Sequence, residues 1–150
     1  RTDIEVAAGG ELFFMEILAP GRVARGECFE YEDLDWETNL RHKGKLIFRE
    51  RYRLNPKNGS LAQLQRPISN AWFASCYIIS DHLTKDTPAW KTIRELQSDT
   101  LMLGLSQVTD TAWSLRLLAA ESVTMRKTVA AIRHGLSVNL PGLKTIPRIP

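Results

Sequence analysis

The sequence predicts a mainly β fold with two α-helices, at about residues 88–98 and 122–138, both in the C-terminal half. Several short runs are rich in aromatic and β-branched residues and are separated by turn residues, as strands are. Apolar residues at helical spacing occur mainly in the two named ranges. Strands and helices do not alternate along the chain, which argues against a βαβαβ arrangement.

Composition limits the classes of function. The 150 residues suit one domain with a real core. A net charge of +3 and a pI near 9.0 permit an acidic partner but do not indicate nucleic acid. No apolar run approaches the roughly 20 residues that a membrane helix needs, so we expect no membrane association.

The two cysteines do not form a disulfide framework. Cys28 and Cys76 both fall in strand-like runs, and two cysteines in 150 residues are too few to staple a fold. We expect two free, buried or half-buried thiols in a reducing compartment, and therefore a cytoplasmic protein.

Three further regions are predicted to be strands. The first ten residues end in a glycine break and are not assigned to a strand. A near-continuous apolar run then suggests a strand buried on both faces, and Gly26 later interrupts an extended stretch, as at a bulge. The predicted strands are Glu11–Leu18, Ala71–Ser80 and the pair 101–108 and 112–119.

A hairpin is centred on the turn His42–Gly44. A three-residue loop with Gly44 at positive φ places opposite charges across the two strands. A two-residue loop at Lys43–Gly44 would instead place Glu37 opposite Glu50, which is unfavourable. The favoured register pairs Leu40 with Leu46, Thr38 with Phe48, Leu34 with Tyr52, Glu37 with Arg49, Asp35 with Arg51 and Asp33 with Arg53.

The first helix is predicted to begin at Thr87-Pro88. A threonine can accept a hydrogen bond from an early backbone N–H, and proline is favoured in the first turn. Trp90, Ile93 and Leu96 then share one face.

The second helix is predicted to run from Ser122 to about Val138. Its apolar stripe consists of Met125, Val129, Ile132 and Leu136. Arg126 and Arg133 lie on one flank of this helix, and Lys127 and His134 lie on another.

Catalytic and metal-binding patterns are weak. The chain has no nucleophile elbow, and the three histidines fall in a hairpin turn, a loop and an exposed helix position (His42, His82 and His134). Cys76, Asp81 and His82 are residue types that could bind nickel, zinc or copper. The alternative is that Cys76 points into the core while the other two are solvated.

A basic row on the hairpin is a candidate nucleic-acid surface. Arg49, Arg51 and Arg53 alternate with aromatic residues, as in single-strand binding surfaces. The acidic residues predicted across the hairpin would cancel most of this charge, so we expect no nucleic-acid partner.

Arg22 and Glu27 lie beside glycines and support two interpretations. They could form a partner surface or polar gate. They could also form an ion pair that only fixes a bend.

Several segments together resemble one protein family. The first two read Gly21-Arg22-x-Ala24-x-Gly26-Glu27-x-Phe29 and Phe48-Arg49-Glu50-Arg51-x-Arg53-Leu54. The later ones are Gly104-Leu105-Ser106, Trp113–Ala119, Ile132-Arg133 and Pro147-Arg148-Ile149. In this order they resemble the urease accessory protein UreD family, also called UreH, over about residues 11–149. The chain departs from the family at Pro150, where an aromatic residue is usual.

The resemblance implies a stack of β-sheets with two helices and no catalytic activity. It implies that residues 1–150 are the C-terminal part of a longer UreD-like protein. It also implies binding to the urease apoprotein, to UreF and, through UreF, to UreG, with nickel passing in transit and no tightly bound cofactor. Its motif positions are Arg22, Gly26, Glu27, Phe29 and Arg148. The alternative, from composition alone, is a generic β-rich module that binds protein or carbohydrate.

Overall fold

The computed structural model describes residues 1–59 and 67–144, and within them the chain is mainly β with two α-helices, as predicted. The strands are β1 Thr2–Val6, β2 Leu12–Leu18, β3 Leu34–His42, β4 Lys45–Leu54, β5 Trp72–Ile79, β6 Leu101–Thr109 and β7 Ala112–Ala119. The helices are α1 Ala89–Arg94 and α2 Ser122–Leu136. Neither helix is long and apolar enough to cross a membrane.

The strands form two sheets that stack on each other. The outer sheet has the order β1-β3-β4, and the inner sheet has the order β2-β5-β7-β6. Successive residues of a strand point to opposite faces. Tyr77 and Ile79 of β5 therefore pack against the outer sheet, whereas Cys76 and Ile78 pack towards the helices.

The helices cover the other face of the inner sheet. Trp90 of α1 stacks on Trp113 of β7 with 5.1 Å between ring centroids, and its indole N–H donates to the Thr84 carbonyl at 2.7 Å. The predicted stripe of α2 is confirmed, because Met125, Ile132 and Leu136 are buried in this core. Val129 is half-buried beside them.

The predicted hairpin register is wrong by two residues. Leu40 lies opposite Phe48, and Glu37 lies opposite Arg51. The loop has only two residues, Lys43 and Gly44, with φ of 53° and 75°. A bulge after Leu40 adds a residue to β4, so the short loop avoids the Glu37–Glu50 clash that had argued against it.

The predicted charge pairing survives the change of register. A two-residue shift keeps every side chain on its predicted face. Arg49 binds Glu37 at 3.2 Å, and Arg51 binds Asp35 at 2.6 Å, both across the diagonal rather than directly opposite. Asp33 does not pair with Arg53, because its carboxylate accepts from the Asn55 side chain at 2.9 Å.

Two other strands differ from the prediction. Residues 2–6 form β1, which pairs in parallel with β3, although they were not assigned to a strand. This strand is short, and its apolar residues Ile4 and Val6 are evident as inward-facing only beside β3. β2 is not buried on both faces: it is an edge strand, and Ile17 is 44% exposed.

The two helices are shorter than predicted. α1 ends at Arg94 rather than near residue 98, and α2 ends at Leu136 rather than Val138. Thr87 does not cap α1 with its side chain. Its hydroxyl oxygen instead accepts from the Thr84 backbone N–H at 2.9 Å, and Pro88 occupies the cap position.

We expect Gly44→Val to lower the free energy of unfolding by about 1 kcal/mol or more, because a branched residue is strained at positive φ. The measurement is the urea midpoint. Gly104→Val is the matched control, since Gly104 lies in β6 without positive φ and with open space at its Cβ position. Equal effects of the two changes would contradict the turn geometry.

Candidate functional site

The motif segment Gly21–Phe29 forms a compact surface loop. Residues Val23–Arg25 make one 3₁₀ turn, and Gly26 ends it at φ 77°. The Gly26 N–H donates to the Val23 carbonyl at 3.0 Å. Gly26 therefore closes a turn and does not mark a strand bulge, as the sequence had suggested.

An exposed ion pair closes the loop. Arg22 Nε lies 2.6 Å from Glu27 Oε2, and the two side chains are 65% and 36% exposed. The pair fixes a bend, as one of the two interpretations expected. An exposed pair contributes little to stability, so its geometry is equally available to a partner.

Phe29 and Gly21 anchor the loop to the body of the protein. Phe29 is buried with φ 54°, and its N–H donates to the Pro20 carbonyl at 2.7 Å. Its ring meets Tyr31 edge-on at 6.2 Å. Gly21 has φ 103°, and a Cβ there would lie 3.1 Å from the Glu27 carbonyl oxygen. Phe29 and the glycines therefore hold the loop shape, while Arg22 faces solvent.

Two open clefts adjoin the loop. One, of 560 Å³, lies between the loop and the start of α2. The other, of 300 Å³, lies between the edge strand β2 and α2. The clefts share Trp72 and Ser122, so they form one continuous depression.

A polar network joins the two sheets at Glu50 of β4. One carboxylate oxygen accepts from Arg116 at 2.6 Å. The other accepts from the hydroxyls of Tyr77 at 2.5 Å and Ser75 at 3.1 Å. Arg116 also lies 5.3 Å from the centre of the Phe48 ring. The network gives an ionised group a satisfied place between apolar layers.

Sequence reasoning missed this network. Alternation along β4 puts Glu50 on the same face as Phe48 and Tyr52, and this places a carboxylate among inward-facing aromatic residues. That signal was present in the sequence. The partners Ser75 and Arg116 are 25 and 66 residues away, so their identity required the fold.

The tyrosines around Glu50 titrate at high pH. Burial, with the nearby Glu50 carboxylate, raises the pKa of Tyr52 to about 12. The same causes raise the pKa of Tyr77 well above its usual range. Burial also raises the pKa of Tyr31.

The candidate metal ligands do not come together. Cys76 is fully buried towards the helices, and burial raises the pKa of its thiol far above the usual range. Asp81 and His82 lie in an exposed loop. Within residues 1–59 and 67–144, no group of three or more histidine, cysteine, aspartate or glutamate residues could hold a metal ion.

Two other predicted positions differ. His42 is the last residue of β3 and is buried, not exposed in the turn, and its Nε2 has no hydrogen-bond partner among the described residues. Cys28 is half-buried but lies outside any strand. His82 and His134 are exposed, as predicted. Arg148 lies outside the described residues.

The basic row on β4 is neutralised on the outer sheet. Arg49 and Arg51 each pair with an acidic residue of β3, and Arg53 lies 3.9 Å from Asp35. These arginines raise the charged fraction of the acids, since their proximity lowers the pKa of Asp35. The surface does not offer an uncompensated cationic track.

Comparison with known proteins points to one family. The model of the UreD urease accessory protein family matches residues 1–150. The urease accessory protein UreD of Opitutus terrae is 30% identical over 149 residues, which are 98% of this chain and 54% of that protein. The UreD proteins of Herpetosiphon aurantiacus and Lysinibacillus sphaericus are 30% and 28% identical over 84% and 85% of this chain. The chain spans about half the length of these curated relatives.

We expect Arg116→Leu to lower the free energy of unfolding by about 3 kcal/mol, because it leaves the Glu50 carboxylate between the sheets without its cation. The double change with Glu50→Leu should cost less than the sum of the two single changes. Urea denaturation measures both. Arg51→Leu on the exposed outer face is the control and should have a much smaller effect. Additive single changes would contradict the coupling.

We expect the native protein to lose stability between about pH 10 and pH 12. In this range unfolded tyrosines ionise while Tyr52 stays protonated in the fold, so the stability present below pH 10 is lost as pH rises through the folded pKa. Ultraviolet absorbance of tyrosinate follows the ionisation. Tyr52→Phe should remove the transition near pH 12, and a native titration entirely near pH 10 would contradict the burial.

Proposed function

Because this chain belongs to the UreD family of urease accessory proteins, we propose that it acts in urease maturation as a non-catalytic scaffold. In this role it binds the urease apoprotein and UreF and, through UreF, UreG. The single observation that supports the proposal is the match of the family to the whole chain. The family is described by an accessory role, not by catalysis.

Nickel is the cargo of this proposed pathway. The chain assists the delivery of nickel to the urease active site without holding it as a resident cofactor. A reducing compartment suits the two free cysteines, and we propose that the protein works in the cytoplasm.

We propose that the loop Gly21–Phe29 is part of the partner-binding surface. Arg22 and Glu27 are its partner-facing groups, since both are at least one-third exposed and are held in one geometry by their ion pair. Gly26 and Phe29 act indirectly by fixing the loop. Arg148 in the C-terminal tail is a further proposed contact.

The direct test is co-purification of this chain with UreF and urease apoprotein from the same source, with and without nickel. Stable co-elution supports the accessory role. A folded chain that binds neither protein, while the longer UreD protein of the same source binds both, would mean that the contacts lie outside these residues. If the longer protein also fails, the proposed function is wrong, and a generic β-rich binding module becomes the better interpretation.

We expect Arg22→Ala to weaken partner binding while leaving the urea midpoint nearly unchanged, because the lost ion pair is exposed. Arg1→Ala is the matched control. Arg1 is 64% exposed and pairs with Asp3 at 2.9 Å, but it lies in a different part of the chain. If Arg22→Ala and Arg1→Ala bind the partners equally well, the ion pair only fixes the bend.

A further inference from the structure

The depression beside α2 is a second surface with a built character. We call it the α2 groove, and it is lined by Ile17, Trp72, Ser122, Arg126, Val129 and Ala130. It opens past Trp72 into the cleft beside the motif loop. Six large apolar side chains are exposed among the described residues, and three of them, Ile17, Val23 and Val123, line this continuous surface. The clustering indicates a surface that is covered when the protein is at work.

One stripe of α2 forms a wall of the groove. Ser122, Arg126, Val129 and Arg133 are spaced by four, three and four residues, so their side chains share one face of the helix. At 1.5 Å per residue this stripe is about 16 Å long, or about three helical turns. Ala130 beside it is small and exposed, which permits close approach of a second backbone.

The rim of the surface is basic. Arg22, Arg25, Arg126 and Arg133 line the two clefts, against Glu121 and the Glu27 that pairs with Arg22. Four positive and two negative side chains leave an excess of two positive charges. An occupant with carboxylates flanking an apolar stripe would complement both the floor and the rim.

We propose that the α2 groove binds an acidic amphipathic helix of a partner protein. A helix lays its apolar side chains into a groove at intervals of three and four residues, and the wall of this groove repeats at the same intervals over three turns. An extended segment pairing with the edge of β2 is the alternative occupant. It would use the backbone of β2 and would leave the stripe on α2 without a role.

This inference rests on the proposed function for the existence of a partner and adds that partner's chemistry. Its test uses neither UreF nor urease, so the two proposals fail separately. The probe is a labelled synthetic peptide of about five helical turns, with leucines at helical spacing on one face and glutamates on both flanks. A second peptide has lysine in place of every glutamate. Fluorescence polarisation reports binding to the full 150-residue chain.

Two neighbouring residues of α2 provide matched variants. Arg126→Glu and Lys127→Glu make the same charge change on exposed positions of one helix, but only Arg126 lines the groove. We expect Arg126→Glu to weaken binding of the glutamate peptide about tenfold, and Lys127→Glu to weaken it less than about threefold. Ile17→Ser should also weaken binding, because it removes apolar floor.

Each other outcome would overturn the inference. Absence of binding by the glutamate peptide rejects the groove as a helix site. Equal weakening by Arg126→Glu and Lys127→Glu means that only net charge is sensed. Equal binding of the lysine peptide rejects the acidic partner. Circular dichroism that shows the bound glutamate peptide as extended favours strand addition at β2 instead. Unchanged urea midpoints of the variants confirm that the comparison is made on folded protein.

Discussion

The burial of β5 and β7 on both faces is the constraint on which the rest of the structure depends. These two strands lie at the centre of the inner sheet, between the outer sheet and the helices. Every polar group on them must find a partner inside the protein, because an unpaired buried group is costly. Arg116 and Ser75 meet this requirement through Glu50 of the opposite sheet. The position of the outer sheet is thereby tied to particular residues as well as to apolar contact.

The two interfaces of the inner sheet differ in chemistry. The interface with the helices is apolar and is filled by large side chains such as Trp90, Trp113 and Ile132. The interface with the outer sheet mixes aromatic rings with the ionised Glu50–Arg116 pair. An apolar interface tolerates small shifts, whereas paired charges with fixed partners admit few alternative arrangements. We infer that the polar interface defines how the two sheets align.

This body presents its exposed features along one continuous surface. Phe29 anchors the motif loop in a small cluster with Leu54, and the loop then leads to Trp72 and the start of α2. The rigid parts of the loop are therefore buried, while Arg22 and the arginines of α2 remain accessible. Such a division suits a family whose described role is accessory, since its work depends on presenting a defined surface.

The sequence by itself determined much of the secondary structure and the shape of the turns. Strands with strong β character, the apolar stripe of α2 and the positive φ of Gly44 follow from local side-chain chemistry. The motif residues and their resemblance to UreD were also evident along the chain. Only the tertiary structure decided the hairpin register, the strand at residues 2–6, the burial of His42 and the partners of Glu50. Each of these depends on residues that are distant in sequence or on a bulge whose cost is offset by packing, and local patterns carry no information about such contacts.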